Sequence, residues 1–362
     1  MGRFGFIIHP LSGRADVARK YAFARFLPER WIEYVLKFVP SSVVSHITGV
    51  TGAAGAQAEG WFVGCPLTPR QFVVLPEQYV LGRIIQAARL AEQVGARIVG
   101  LGAYTSVVGD AGVTIANNVG IAVTTGNSYT VATAVEGALQ AAALMGIVPA
   151  QARAAVVGAT GSIGRVCSLL LAEAAADLVL VGRDEDKLRA LQEQIGRDSV
   201  TLATDPAAAL PHADIVITVT SAVDTVIEPG HLKPGAVVCD VARPRDVSRA
   251  VAQRRPDVLV IEGGVVAVPG QVEFGFDFGF PPRTAYACMA ETMLLALEQR
   301  YESFSLGREL EIAKVREMRA LAQKHGFALA GFRSFERAVS DEQIARTREA
   351  AAARRAAATK AG

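Results

Sequence analysis

The sequence predicts an α/β protein of two domains, the second a doubly wound parallel sheet, with C-terminal helices packing back. Three observations predict it. A length of 362 residues exceeds what one core usually supports. Short β-like apolar runs alternate with helical periodicity from Phe4 onward. From Arg153 that alternation becomes strict, as repeated βα units require. With 51% hydrophobic residues against 20% charged, the chain has apolar surface enough for two interiors.

In the first part, strands are expected at Phe4–Ile8, Val43–Ile47, Ile98–Ala103 and Gly120–Val123, and helices at Asp16–Phe26, Glu77–Val94 and Tyr129–Met145. The strict alternation then runs strand Ala154–Val157, helix Ser162–Ala175, strand Leu178–Val181 and helix Glu185–Ile195. Strands Ser199–Leu202, Ile215–Val219, Val237–Cys239 and Val258–Ile261 follow. Beyond Gly270 lies an aromatic, glycine-rich loop whose Phe274, Phe276, Phe278 and Phe280 either line an apolar channel or cap the core. Pro281-Pro282 starts a helix from about Thr284 to Gln299, and another covers Leu310 to His325. The tail Arg346–Lys360 is basic and alanine-rich, a frayed helix or disordered. These readings give domains at 1–149, 150–282 and 283–340, with a tail at 341–362.

A net charge of +2 is too small for a nucleic-acid partner. No uninterrupted apolar run spans a bilayer, because Glu136 and Gln140 break the best candidate helix, and the apolar start from Phe4 is too short for a signal peptide. A cytoplasmic address is expected. Cys65, Cys167, Cys239 and Cys288 form no C-x-x-C pair, so neither a metal cluster nor a disulfide framework is expected.

The strongest motif is Gly158-Ala159-Thr160-Gly161-Ser162-Ile163-Gly164, set between an apolar strand and a helical pattern. Its glycines allow a tight turn close to a pyrophosphate, and the N–H groups at the helix start supply an anion site. This identifies 150–282 as a Rossmann-type domain for a nicotinamide dinucleotide, and so an oxidoreductase. At the end of the next strand Arg183 suits a 2′-phosphate, favouring NADPH, while Asp184 keeps NADH open and Arg183 can also be an ordinary solvated helix start.

If Thr284 caps the helix after Pro281-Pro282, Cys288 lies about one turn in, where the helix dipole and nearby Arg283 favour a thiolate. A cysteine between Ala287 and Met289 is more often a small buried hydrophobe. Ser106, after the strand Ile98–Ala103, and Thr125 and Asn127, before the helix at Tyr129, are candidate donors to a carbonyl oxygen or the cofactor amide; Asn127 or Ser128 is alternatively a plain N-cap.

Taken together, Leu75-Pro-Glu77, Leu101-Gly-Ala-Tyr-Thr-Ser106, Thr124-Thr-Gly-Asn127, the glycine fingerprint, Glu262-Gly-Gly264, Pro282-Arg-Thr-Ala-Tyr-Ala-Cys288-Met-Ala-Glu291, Phe304-Ser-Leu-Gly-Arg308 and Lys324-His-Gly-Phe327 resemble the cyanobacterial long-chain acyl-[acyl-carrier-protein] reductases, which make fatty aldehydes. The resemblance covers most of the chain. It implies an N-terminal α/β substrate domain that takes the acyl group, Gly263 and Gly264 among the cofactor-binding residues, and Cys288 as a nucleophile that carries the acyl group as a thioester until NADPH delivers hydride. It also implies a fatty acyl thioester substrate, on an acyl carrier protein or coenzyme A, and an aldehyde-consuming enzyme as partner. Acidic carriers would meet basic side chains in Arg14–Arg25 and Lys314–Arg319, which are alternatively ordinary solvated helix faces. The sequence departs from the family over Ala24–Gln71, which has its own spacing, and at Tyr129, where a histidine is expected.

Two other readings remain. A shikimate-dehydrogenase-like NADP alcohol dehydrogenase shares the domain plan but relies on a lysine from its substrate domain, and no lysine lies between Lys37 and Lys187. A nicotinamide-binding regulatory module would hold cofactor without turnover.

Overall fold

The structure is a computed structural model that describes residues 1–10, 14, 17, 22–222, 224–242, 245–335 and 337–361. The chain divides into two units. The first comprises Met1–Tyr129, Val266–Glu309 and Glu317–Ala328; the second comprises Thr130–Val265, Leu310–Arg316 and Leu329–Gly362. The boundaries expected at 150, 283 and 341 follow the chain linearly, whereas these units are discontinuous.

In the first unit, β1 (Gly2–Ile8), β3 (Gln57–Gly64), β4 (Ile98–Leu101) and β5 (Ala122–Thr124) pair in parallel in the order β3-β1-β4-β5. β2 (Ser42–Thr51) adds antiparallel to β3, and the returning strand Gly270–Glu273 adds antiparallel to β2. Phe4, Phe6 and Ile7 are all buried, as a central parallel strand covered on both faces demands. On the Glu77–Gln93 helix the buried residues are Val80, Ile84, Ala87, Ala88 and Ala91, the helical spacing that gives one apolar stripe. The helix Ala287–Leu297, apolar all round and almost wholly buried, packs on β1 and β4. Gly100 makes room for it, since a methyl there would stand 2.1 Å from Thr292 Oγ1.

Several strands in this unit were not expected. Gln57–Gly64 carries Ala58 and Gly60, which read poorly as β; Gly60 is required because the Phe4 ring occupies the space, 2.5 Å from where a Cβ would be. Gly270–Glu273 lies at the edge of the aromatic loop. Thr284–Tyr286 is a strand and the helix begins at Ala287, which corrects the expected start at Thr284. Arg283 has φ +58, which no helix adopts, and its carbonyl accepts from Val268 N at 2.8 Å. The Thr284 hydroxyl donates back to Pro281 O instead of capping. Of the helix expected at Asp16–Phe26, most residues before Ala22 lie outside the described residues, and Ala22–Phe26 is a 3₁₀ turn.

The second unit holds β6 (Arg153–Val157), β7 (Asp177–Val181), β8 (Val200–Ala203), β9 (Ile215–Thr218), β10 (Val237–Asp240) and β11 (Leu259–Glu262). All pair in parallel in the order β11-β10-β9-β6-β7-β8, two halves diverging from β6. That is the doubly wound arrangement the alternation predicts. The tail is helical over Asp341–Ala361, with Ile344, Thr347 and Ala351 buried at helical spacing and Arg354 paired with Asp257 at 3.1 Å. Among the described residues no helix is long and apolar enough to cross a membrane, and no group of His, Cys, Asp or Glu is placed to hold a metal ion.

Candidate active site and nucleotide loop

The glycine fingerprint forms the β6-to-helix junction of the second unit. Gly158 turns the chain at φ +83, and its N–H and that of Ala159 donate to Val181 O on β7. A methyl on Gly164 would stand 2.1 Å from Gly158 O, so only glycine lets the helix Ser162–Ala174 start this close to the strand. Gly161 occupies the N-cap, and the first-turn N–H groups beyond it have no intrahelical acceptors. The Ser162 hydroxyl is shut from solvent without a hydrogen-bond partner. An orphaned hydroxyl beside helix N–H groups, in a cradle a methyl would fill, fits a dinucleotide phosphate. Thr160 is half-buried and Ile163 half-buried along the same loop.

Arg183 is exposed at the end of β7. Asp184 is engaged elsewhere: its carboxylate caps the next helix by accepting from Lys187 N at 3.1 Å and pairs with Lys187 Nζ at 3.1 Å. The bond from Lys187 N, then the Lys187 side chain, holds its carboxyl below the usual range. Gly263 and Gly264 follow β11 at the carboxyl end of the same parallel sheet, Gly264 at φ +64, and Glu262 beside them pairs with Arg245 at 2.8 Å. Sequence reasoning missed Thr220 and Asp246. A methyl on Gly158 would stand 3.2 Å from Thr220 Cγ2, and buried Asp246 accepts from Thr218 Oγ1 and from Thr220 N at 2.8 Å. Asp246 has no sequence signal, since it follows β10 in a loop.

In the first unit, Cys288 is the second residue of its helix and half-buried, whereas Cys65, Cys167 and Cys239 are buried. Burial pushes the Cys65 and Cys167 thiols up to about 12, which leaves them protonated and inert. The loop after β5 lies against Cys288: Gly126, at φ +74, has room for no side chain, because a methyl would stand 2.3 Å from both Cα and Cβ of Cys288. Thr125 and Asn127 flank that contact.

One turn along the same helix, Glu291 is fully buried. It accepts from Thr124 Oγ1 at 2.6 Å, Ser305 Oγ at 2.7 Å and Tyr129 N at 2.8 Å. Ser128 and Ser305 hydroxyls lie 2.7 Å apart, and Thr125 Oγ1 donates to Ser305 O. Desolvation pushes the Glu291 carboxyl up, against the opposing pull of these hydrogen bonds. The carboxylate thus ties three segments, the β5 loop, the cysteine helix and the strand-like stretch at Phe304, into one site. Glu291 and Ser305 lie in stretches that carry the resemblance but were given no role; the signal for Glu291 was a lone charge inside an otherwise apolar helix.

Two of the three expected oxyanion donors are already engaged. The Ser106 hydroxyl donates to Ala103 O at 2.7 Å within a 3₁₀ turn after β4, and Thr125 donates to Ser305 O. Asn127 is half-buried and opens the helix Asn127–Leu144, two residues before the expected start at Tyr129. Tyr129 itself is buried and lends its N–H to Glu291. The aromatic loop does cap the core at Phe274, stacked on Phe62 with centroids 6.0 Å apart. Half-buried Phe278 and Phe280 then carry the row to Tyr286, 4.4 Å from Phe280 and two residues before Cys288.

The shikimate / quinate 5-dehydrogenase family pattern matches residues 141–261, the nucleotide half. The aminotransferase PigE of a Serratia species is 33% identical over 94% of this chain, which spans only 41% of that protein's length. Among solved structures, the nucleotide-binding domain of glutamyl-tRNA reductase from Thermoplasma volcanium is 22% identical over 30% of this chain and 74% of that one, with a TM-score of 0.24. The long-chain acyl-[acyl-carrier-protein] reductase of Synechococcus elongatus is 30% identical over 90% of this chain and 98% of its own length. By that near end-to-end match, the chain belongs to the long-chain acyl-[acyl-carrier-protein] reductase family, with a Rossmann-type NAD(P)-binding domain at its centre.

Proposed function

We propose that this chain reduces a long-chain fatty acyl thioester to a fatty aldehyde through a covalent thioester on Cys288, using NADPH in preference to NADH. The observation that carries the reading is Cys288 itself: half-buried where the other three cysteines are buried, in a first helical turn, and met closely by the backbone of Gly126. A helix start favours an anion, and a thiolate attacks a thioester readily, expelling the carrier thiol and keeping the acyl group activated.

Gly158–Gly164, Gly263 and Gly264 would hold a nicotinamide dinucleotide, which would supply hydride chemistry there. Arg183, exposed while Asp184 is committed to Lys187, receives the 2′-phosphate. At the cysteine, Asn127 is the readiest donor to the thioester oxygen, because Ser106 and Thr125 would first surrender carbonyl acceptors. The Phe278, Phe280 and Tyr286 row offers the acyl chain an apolar surface that ends beside Cys288. Docking of an acidic carrier gains little from Lys314 and Arg316, which pair with Glu311 and Glu173. Most of Arg14–Arg25 lies outside the described residues. An aldehyde-consuming partner and a cytoplasmic setting complete the reading.

Incubation with an acyl thioester and no cofactor tests it: the acyl mass should appear on the Cys288 peptide and leave as aldehyde when NADPH is added. The family match over residues 141–261 favours a second reading, an alcohol dehydrogenase like shikimate dehydrogenase, for the nucleotide half alone. Aldehyde formation by Cys288→Ala at near wild-type rate would put that reading ahead.

A further inference from the structure

The helix Glu29–Leu36 is oriented with an apolar face outward. It buries Ile32, Glu33 and Leu36. Phe23, Phe26, Trp31, Tyr34, Val35 and Phe38, on and around it, are each between 55% and 77% exposed. Five exposed rings within sixteen residues are far more than scattered surface apolars. The orientation is fixed from beneath: Glu33 Oε2 lies 2.6 Å from Arg70 Nη1, its Oε1 accepts from Thr68 Oγ1 at 3.0 Å, and its carbonyl accepts from Gln71 Nε2 at 2.7 Å. Turning the aromatic face inward would break all three contacts.

Cations are interleaved with the rings. Arg25 and Arg30 are exposed and Lys37 half-exposed, and the Arg25 guanidinium lies 4.8 Å from the Phe26 ring centroid. Of the nearby acids, Glu33 is buried and paired with Arg70, while Glu29 stays exposed and accepts from Arg14 N at 3.3 Å. We propose that this face seats the protein on the surface of an anionic lipid bilayer, rings at headgroup depth and cations toward lipid phosphates. Aromatic side chains with snorkelling cations suit that boundary, and no helix among the described residues is fit to cross it. An acidic protein partner would call on the cations but leave five rings without a role.

The full chain should co-sediment with vesicles of mixed phosphatidylcholine and phosphatidylglycerol, less with phosphatidylcholine alone, and the binding should weaken with salt. Arg25→Gln and Arg30→Gln should each cost about fivefold in vesicle affinity. Trp31→Ser with Phe38→Ser should cost about tenfold or more. Lipids brominated in the acyl chain should quench tryptophan fluorescence in the unmodified chain, and Trp31→Phe should remove that quenching. All these side chains are exposed, so an unchanged unfolding midpoint shows that a loss is not misfolding. Absence of sedimentation with anionic vesicles, or quenching that survives Trp31→Phe, overturns the proposal. So does loss of binding to an acidic carrier protein in these variants with no vesicle binding by the parent, which would make the face a protein-docking surface.

Discussion

The two units hold their sites by different means. In the second, one strand-to-helix junction supplies backbone N–H groups and glycine-made space within seven consecutive residues, Gly158–Gly164. In the first, the site is assembled from residues that are distant in sequence: Thr124 at the end of β5 and Gly126 after it, Cys288 and Glu291 on a helix that returns after the other unit, and Ser305 beyond it. A backbone site tolerates most side-chain changes away from its glycines, whereas an assembled site fails when any joining residue is lost.

The largest expected effect breaks the assembled site chemically. Cys288→Ala should lower aldehyde formation by several orders of magnitude, yet leave the dissociation constant for NADPH unchanged in a titration, because the fingerprint belongs to the other unit. Next, Gly126→Ala and Gly164→Ala compare the two sites by the same device. Each adds one methyl, 2.3 Å from Cys288 in one case and 2.1 Å from Gly158 O in the other. Each should cost about 3 kcal/mol in denaturant unfolding. The first should impair acylation with cofactor binding intact, and the second the reverse. Gly161→Ala, with its nearest neighbour at 3.3 Å, should be the milder control.

Arg183→Ala should remove most of the preference for NADPH over NADH, about ten- to hundredfold in the ratio of dissociation constants. Equal affinities in the unmodified protein would remove the case for Arg183.

The smallest effect concerns Glu291. Desolvation raises its carboxyl above the ordinary 4.5 in the folded chain, which therefore holds that proton more tightly than the unfolded chain does. The stabilising contribution is fully present below 4.5 and is lost as pH rises through the folded value. Glu291→Gln cannot ionise and should show a flatter dependence of melting temperature on pH. Its absolute offset should be roughly 2–4 °C for about one hydrogen bond lost. Parallel pH curves for the two proteins would mean that Glu291 is not held as its burial implies.

Legibility in the sequence follows the same division. The six-strand parallel sheet was readable because its strands are continuous apolar runs such as Ile215–Thr218, and its loop because local glycines announce local geometry. In the first unit β1 and β4 were readable, but Gln57–Gly64 was not, since Gly60 answers to the Phe4 ring on a neighbouring strand. The helix start was placed three residues early because a positive φ at Arg283, a non-glycine residue, leaves no trace in sequence. Cys288 rested on resemblance more than on spacing, and Ser305, though inside a stretch that carries the resemblance, was given no role, because its partner Glu291 meets it only through tertiary packing.

The first unit is also interrupted in time. Its sheet gains Gly270–Glu273, and its β1 and β4 their cover from Ala287–Leu297, only after the contiguous strands from Arg153 to Glu262 have been synthesised. At ordinary translation speeds, roughly 10–30 s separate the emergence of Tyr129 from that of Leu297. Throughout that interval one face of β1 waits uncovered while the nucleotide unit can already complete its sheet. The nucleotide sheet is therefore placed to form first on the ribosome, and the cysteine helix joins the first unit only afterwards.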